Sequence, residues 1–143
     1  MAIMATEAKT VSNVIVVTNN ELVREAFSIC CQVFFITDGY LEVLLKTRDL
    51  IHQGHRLLTH PLAGSVKPGE TPYRTILLAG EREELETMSL QLIEDAIIMS
   101  RRMIEQGRFN RKMLSDQHKN DFQLIDYTVV ESAWTSIITG TIR

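Results

Sequence analysis

Short apolar runs alternate with amphipathic stretches along the first part of the chain. Residues 14–17 (VIVV) and 31–36 (CQVFFI) are apolar runs between polar residues, a pattern typical of buried strands. Between them, Thr18 and Glu21 have the spacing of a capping box, which predicts the start of a helix. The predicted apolar face of this helix consists of Leu22, Ala26 and Ile29.

The same pattern then repeats with a longer helix. Residues 40–53 form an amphipathic stretch, and Gly54 supplies the left-handed residue with which helices often end. The residues along its predicted inner side are Leu41, Leu44, Leu45, Arg48 and Ile51. Residues 55–59 (HRLLT) and 74–79 (RTILLA) are predicted to form a third and a fourth strand.

The remainder of the chain is predicted to be helical. Over residues 83–106 the apolar positions form two stripes, and this width indicates contact with the sheet on one side and with a second subunit on the other. We therefore expect a homodimer. Asp116 is predicted to cap a last helix that ends near Gly140. The apolar face of that helix consists of Phe122, Ile125, Val129, Ala133 and Ile137.

The order of these elements is β-α-β-α-β-loop-β-α-α. Strands joined by helical crossovers lie parallel, so the order predicts a small three-layer α/β sandwich with a mainly parallel sheet of about four strands. The chain has 143 residues, 45% of them hydrophobic and 23% charged, which is the composition of one globular domain. We expect a single domain over residues 1–143, with residues 1–10 as a flexible tail.

Polar residues follow the first three predicted strands, and a long loop follows the third. Residues 60–73 contain all three prolines and have no apolar periodicity, and loops of this length in compact domains are often functional. Open α/β sheets bind ligands beyond the carboxyl ends of their strands, and the residues there suit a small anion. The predicted ligand-binding residues are Asn19, Asn20, Asp38, His60, Ser65 and Lys67.

Each of these residues also has a purely structural explanation. Asn19, Asn20 and Asp38 are good helix-capping residues. His60 is equally consistent with an imidazole that binds backbone at a strand end, and loop residues such as Ser65 and Lys67 are commonly solvated.

Charge and cysteine content narrow the classes of partner and compartment. The net charge of −3 gives no field that would favour nucleic acid or an anionic membrane. Residues 1–10 lack the features of a secretory signal, and no apolar stretch is long enough to span a membrane, so we expect a cytoplasmic protein. The adjacent Cys30 and Cys31 suit neither a disulfide nor a CxxC site and are expected to be core thiols.

Metal and cofactor motifs are not evident in the sequence. His55 and His60, at opposite ends of a predicted strand, would lie roughly 16 Å apart, too far to share a metal ion. The sequence contains no nucleophile elbow, no phosphate-binding loop and no dinucleotide fingerprint. We therefore expect neither a metal nor a cofactor.

Residues 37–78 resemble the GrdX family, small proteins encoded with the glycine reductase system of amino-acid-fermenting anaerobic bacteria. The most specific part is the segment GHRLLTHPLAGSVKPGETPY at residues 54–73, and the resemblance extends along the chain. In this family the reduction of glycine is assigned to other subunits. The resemblance implies an accessory role and carries no catalytic residues.

The leading hypothesis is an accessory protein that holds a small anion or a glycine reductase subunit through the loop 60–73. The alternative is a small transferase or hydrolase acting on a carboxylate or phosphate compound. In that enzyme His60 would be the general acid or base, Asp38 would orient it, and Lys67 would hold negative charge. A third possibility is that Leu62 and Val66 of the loop close a dimer interface and that the protein has no ligand.

Overall fold

The computed structural model describes residues 13–62, 71–107 and 115–140. The elements in these ranges are three strands and four helices. In chain order they are β1 (Val14–Thr18), α1 (Glu21–Phe27), β2 (Gln32–Phe35), α2 (Tyr40–His52), β3 (Thr75–Ala79), α3 (Thr87–Glu105) and α4 (Asp116–Ile138).

The sheet is mixed and has three strands in the order β2-β1-β3. β1 pairs with β2 in parallel and with β3 in antiparallel fashion, so that Val16 lies between Val33 and Leu77. The prediction of a mainly parallel sheet of about four strands is wrong. A helical crossover joins β1 to β2, but no helix separates the loop 60–73 from β3, and a chain that returns without a crossover enters the sheet antiparallel.

The predicted third strand is reduced to one bridge between Leu57 and Leu78. Beside it, the backbone N–H of Leu58 donates to Leu77 O at 2.9 Å, but the next bond is made by a side chain, since Leu77 N donates to Thr59 Oγ1 at 3.1 Å. Leu57 N donates to Ser89 Oγ on α3 at 3.0 Å. Side-chain hydroxyls therefore replace part of the strand ladder. The segment still runs in the direction of β1, because both are antiparallel to β3.

Two helices cover each face of the sheet, which is the three-layer order that the sequence predicts. Ile15 and Val17 of β1 belong to a core with α2 and α3, whereas Val14 and Val16 belong to a core with α1 and α4. The alternation follows from the two-residue period of a strand. Both faces of β1 are thus buried, which explains its unbroken run of apolar residues.

The short helix α1 buries a face that shares only Ala26 with the predicted one. Asn20, not Thr18, caps it, and the helix ends at Phe27, so Ile29 falls in the following turn and is 76% exposed. Phe27 packs edge-to-face on Trp134 of α4, with ring centroids 5.6 Å apart. The buried residues of α1 are Val23, Ala26 and Phe27.

The inner face of the last helix matches the prediction only in part, since Ala133 and Ile137 of the predicted face pack against the core. Ser115, not Asp116, caps this helix by accepting a hydrogen bond from His118 N. Val130 and Trp134 are its buried residues, whereas Ile125 of the predicted face is 37% exposed. Among the residues that the structure describes, none of the helices combines the length and the apolar character that a membrane span requires.

Candidate functional site

The carboxyl ends of β1 and β2 and the start of β3 meet at one edge of the sheet. Thr18 at the end of β1 pairs with Thr75, the first residue of β3, and with Phe35, the last residue of β2. Because β3 is antiparallel, the residues before it, 71–74, also lie at this edge. The end of the proline-containing loop is therefore brought to the carboxyl edge, where the sequence predicts it.

Asn19 holds this end of the loop in place. Its Nδ2 donates to Pro72 O at 2.8 Å, and its Oδ1 accepts from Arg74 N at 2.8 Å. The backbone of Asn19 adds a longer bond to Arg74 O at 3.4 Å. The Asn19 amide group thus acts as a clamp between β1 and the segment before β3.

Asn20 is fully buried and its side chain is bonded within the protein. Its Oδ1 accepts from Leu22 N at 3.1 Å and caps α1. Its Nδ2 donates to Gln123 O at 2.9 Å and to Asp126 Oδ2 at 3.0 Å, both on α4. Both amide hydrogens are therefore used to dock α4, so the side chain supports the edge rather than facing a ligand.

Asp126 ends a chain of hydroxyl groups under this edge. Thr75 Oγ1 donates to Asp126 Oδ2 at 2.7 Å, and since a hydroxyl has one proton, Thr18 Oγ1 donates to Thr75 Oγ1 at 2.7 Å. Burial raises the pKa of the Asp126 carboxyl above its ordinary value, although the bonds from Asn20 and Thr75 and the charge of Arg74 oppose the rise.

Arg74 is 4% exposed and contacts the first residue of α2. Its Nε donates to the Tyr40 hydroxyl oxygen at 3.0 Å, and its guanidinium carbon lies 5.3 Å from the centre of the Tyr40 ring. Burial raises the pKa of Tyr40, although the charge and the hydrogen bond of Arg74 act in the opposite direction. The phenol therefore stays protonated at neutral pH. The buried guanidinium of Arg74 and the neutral phenol of Tyr40 therefore lie together at one side of this sheet edge.

Sequence reasoning missed both Asp126 and Arg74. Arg74 was assigned to a strand, and Asp126 belongs to no motif. One signal was available for Asp126: it stands four and eight residues before Val130 and Trp134, which places it on the helix face that turns out to be buried. A carboxylate on a buried face needs donors, and this one finds them on Asn20 and Thr75.

Two open clefts lie at this edge, and the loop end takes part in both. The α2 cleft has a volume of about 250 Å³ and is lined by Asp38, Gly39, Tyr40, Leu41, Glu42, Pro72 and Ile104. The β2 cleft has a volume of about 230 Å³ and is lined by Asn19, Glu21, Phe35, Ile36, Thr37, Tyr73 and Gln123. Since Pro72 lines one cleft and Tyr73 the other, consecutive residues of the loop end contribute to each.

The α2 cleft combines backbone donors with carboxylates. Gly39 occupies the cap position of α2, and because it has no side chain it does not cap the backbone N–H groups of the first turn. Helix N-termini of this kind attract a carboxylate or another anion. Asp38 and Glu42 line the same cleft and attract a cation. The arrangement therefore suits a small molecule that carries both a negative and a positive group.

The predicted site residues are distributed over the edge rather than gathered in one pocket. Asn19 lines the β2 cleft and Asp38 the α2 cleft. His60 is exposed, lines neither of these clefts, and its Nδ1 accepts from Leu62 N at 3.0 Å. This bond matches the structural explanation of a histidine bound to backbone. Ser65, Lys67 and Val66 lie outside the described residues.

The two cysteines are free thiols in the turn after α1. Cys30 is buried and Cys31 half-buried, and their Sγ atoms lie 3.6 Å apart. Burial, together with the neighbouring Cys30, raises the pKa of the Cys31 thiol, which disfavours the reactive thiolate. Within the described ranges, no three His, Cys, Asp or Glu residues are grouped as a metal ion would require.

Comparison with known proteins gives one match. A family model described as GrdX-like protein matches residues 15–135. This range includes β1 from its second residue, β2 and β3, both clefts and most of α4. No curated protein and no solved structure matches the chain.

Proposed function

The chain belongs to the GrdX-like protein family, and from this premise we propose that it is a cytoplasmic accessory protein of the glycine reductase system that binds a small carboxylate-bearing molecule at the carboxyl edge of its sheet. The link to glycine reductase comes from the family resemblance of residues 37–78. The proposed role is to bind and not to catalyse, since the resemblance brings no catalytic residues.

The α2 cleft is the observation that carries this proposal. Its volume of about 250 Å³ is below the range of drug-sized pockets, so it suits a molecule of a few heavy atoms. The first turn of α2 attracts the carboxylate, and Asp38 and Glu42 attract an ammonium group. An amino acid zwitterion meets both requirements.

The same charges argue against a ligand with several negative groups. Asp38 and Glu42 would repel phosphate or acetyl phosphate at the mouth of the α2 cleft. The proposal therefore narrows the small anion expected from the sequence to a carboxylate that is accompanied by a positive group. Glycine is the smallest such molecule and the substrate of the reductase system.

The loop end completes the cleft. Pro72 forms part of its lining, and the Asn19 clamp holds that residue. A bound ligand would therefore contact the end of the loop 60–73 at Pro72. A partner subunit that contacts the loop 60–73 would, on this proposal, recognise the occupied and the empty state differently.

A thermal-shift titration with glycine, acetate, acetyl phosphate and phosphate tests the proposal. A ligand at 100 times its dissociation constant adds about 2.7 kcal/mol to the stability, which shifts Tm by several degrees in a domain of this size. We expect the largest shift with glycine. A flat response to all four compounds would show that the cleft does not bind such molecules.

Two variants test whether the thermal shift with glycine arises from binding in the α2 cleft. Asp38→Asn removes a carboxylate from the cleft and should weaken the response to glycine. Asp49→Asn, the matched control, changes an exposed carboxylate near the other end of the same helix and should leave the response unchanged. Equal responses in the two variants contradict the assignment of the cleft. Turnover of any of these compounds that is lost in His60→Ala would replace the accessory role by the enzymatic alternative.

A further inference from the structure

The outer face of α3 exposes a set of large apolar side chains. Met88 is 70%, Ile98 53% and Met99 45% exposed, and Leu92 on the same face is half-buried. Single exposed apolar residues are normal, but a row of them along one helix face is typical of an interaction surface. We call Met88, Leu92, Ile98 and Met99 the outer stripe.

The opposite face of α3 is already packed in the core. Ile93, Ala96 and Ile97 are at most 2% exposed and belong to the cluster formed with β1, β3 and α2. Core packing therefore does not account for the outer stripe. The two faces together explain why the apolar pattern of this helix is too wide for one contact.

The two ends of the outer stripe carry opposite charges. Residues 81–86 (EREELE), which precede α3, are exposed and contain four Glu and one Arg. Near the other end, Arg101 and Arg102 are exposed, with Glu105 one turn later. A surface that is acidic at one end and basic at the other is complementary to itself when a second copy lies antiparallel to it.

We propose that the outer stripe binds a second copy of this chain, with the two α3 helices antiparallel across a two-fold axis. The axis passes near the point between Ile93 and Glu94, from which Met88 and Met99 are equally distant along the helix. Met88 of one subunit then lies beside Met99 of the partner subunit. The acidic segment 81–86 of each copy lies beside Arg101 and Arg102 of the other.

The polar residues beside the outer stripe fit this arrangement. Gln91 Nε2 donates to Asp95 Oδ1 at 3.1 Å, so these side chains near the axis already hydrogen-bond within one subunit. An anionic lipid surface is a poorer occupant, because the four Glu residues of segment 81–86 would repel it. Ile104, which lines the α2 cleft, stands seven residues after the buried Ile97 and therefore lies on a different side of α3 from the outer stripe, so dimer formation leaves that cleft accessible.

Analytical ultracentrifugation and light scattering test the dimer directly. We expect twice the monomer mass for the unchanged protein and the monomer mass for Met88→Glu/Met99→Glu. Ile29→Glu/Leu124→Glu is the matched control, because it places the same charges on exposed apolar residues of other elements, and it should remain dimeric. Circular dichroism checks that every variant is folded. A monomeric parent protein, or a dimeric Met88→Glu/Met99→Glu variant, overturns the proposal.

Charge reversal tests the antiparallel orientation. Arg101→Glu/Arg102→Glu and Glu83→Lys/Glu84→Lys should each raise the dissociation constant of the dimer at least tenfold, because like charges then meet. Mixing the two variants should restore dimers, since each heterodimer again joins opposite charges. If Arg101→Glu/Arg102→Glu strengthens the dimer, or the mixture stays monomeric, the proposed orientation is wrong. These results do not depend on whether the α2 cleft binds glycine.

Discussion

Polar side chains on the inner face of α3 show how much depends on a single hydrogen bond. Ser89 is buried, accepts from Leu57 N at 3.0 Å and donates to Glu86, so it joins the helix to the segment beside β3. Ser100 is also fully buried, but its Oγ has no hydrogen-bond partner in the part of the chain that the structure describes. The same residue type therefore stabilises one position and costs free energy at the other.

Replacing each of these serines by alanine should change stability in opposite directions. We expect Ser100→Ala to raise the free energy of unfolding by about 1 kcal/mol, since it removes a buried group without a partner. Ser89→Ala should lower it by about 1–2 kcal/mol, because Leu57 N loses its acceptor. Urea unfolding followed by circular dichroism measures both. A loss of stability in Ser100→Ala would mean that its hydroxyl is bonded after all.

In the candidate site, too, the role of a polar residue depends on its hydrogen-bond partners. Asn19, Asn20 and Asp38 could be selected from the sequence because residues after a strand meet at the sheet edge. Sequence could not tell which of them support the edge and which face a cleft. That distinction depends on α4, since Asp126 and Gln123 use both amide hydrogens of Asn20.

At the scale of elements, helix boundaries were easier to predict than helix faces. α2 was predicted at residues 40–53 and is found at Tyr40–His52, and Gly54 has the left-handed conformation expected of it, with φ +106°. The inner faces of α1 and α4 were only partly right: Ala26 is buried, and Ala133 and Ile137 pack against the core, but the centre of the contact between the two helices was missed. Phe27 and Trp134 make that contact.

A glycine is favoured at Gly54 for two reasons, the left-handed backbone conformation and a close contact with neighbouring backbone, and comparison with Gly107 distinguishes them. A Cβ on Gly54 would lie 2.3 Å from the carbonyl oxygen of Glu83, whereas one on Gly107, with φ +76°, would meet no atom of the described residues within 4 Å. Gly107→Ala should therefore cost only the left-handed conformation, about 1–2 kcal/mol. Gly54→Ala should cost more, by at least about 1 kcal/mol, because the backbone must move. Equal losses in urea unfolding would show that the contact with Glu83 does not matter.

At the scale of the whole molecule, β1 connects the two cores. Val16 and Val17 are neighbours in sequence and both fully buried, yet they contribute to cores on opposite faces of the sheet. If either layer of helices detached from the sheet, one apolar face of β1 would be exposed to water. This geometry favours a single cooperative unit among the described residues, and the single domain over residues 1–143 stays a prediction.

Unfolding measured with two probes tests that cooperativity. The only tryptophan, Trp134, is 1% exposed and reports on the α1–α4 side, whereas circular dichroism reports on all helices. We expect coincident urea transitions. Val17→Ala, in the opposite core, should lower the free energy of unfolding by about 2 kcal/mol and shift both midpoints together. A fluorescence midpoint that stays unchanged in this variant would show that the two sides unfold separately.

The alternation of strands and helices, the three layers and the edge at which polar residues gather could all be predicted from the sequence. These properties follow from local periodicity and from chain connectivity, and both depend on residues that are close together in the sequence. Tertiary structure decided the direction of β3, the reduction of the third strand to a bridge, the inner faces of α1 and α4 and the two clefts. Each of these depends on contacts between segments far apart in the chain, such as those of Asn19 with Pro72 and of Thr75 with Asp126, and no local pattern encodes them.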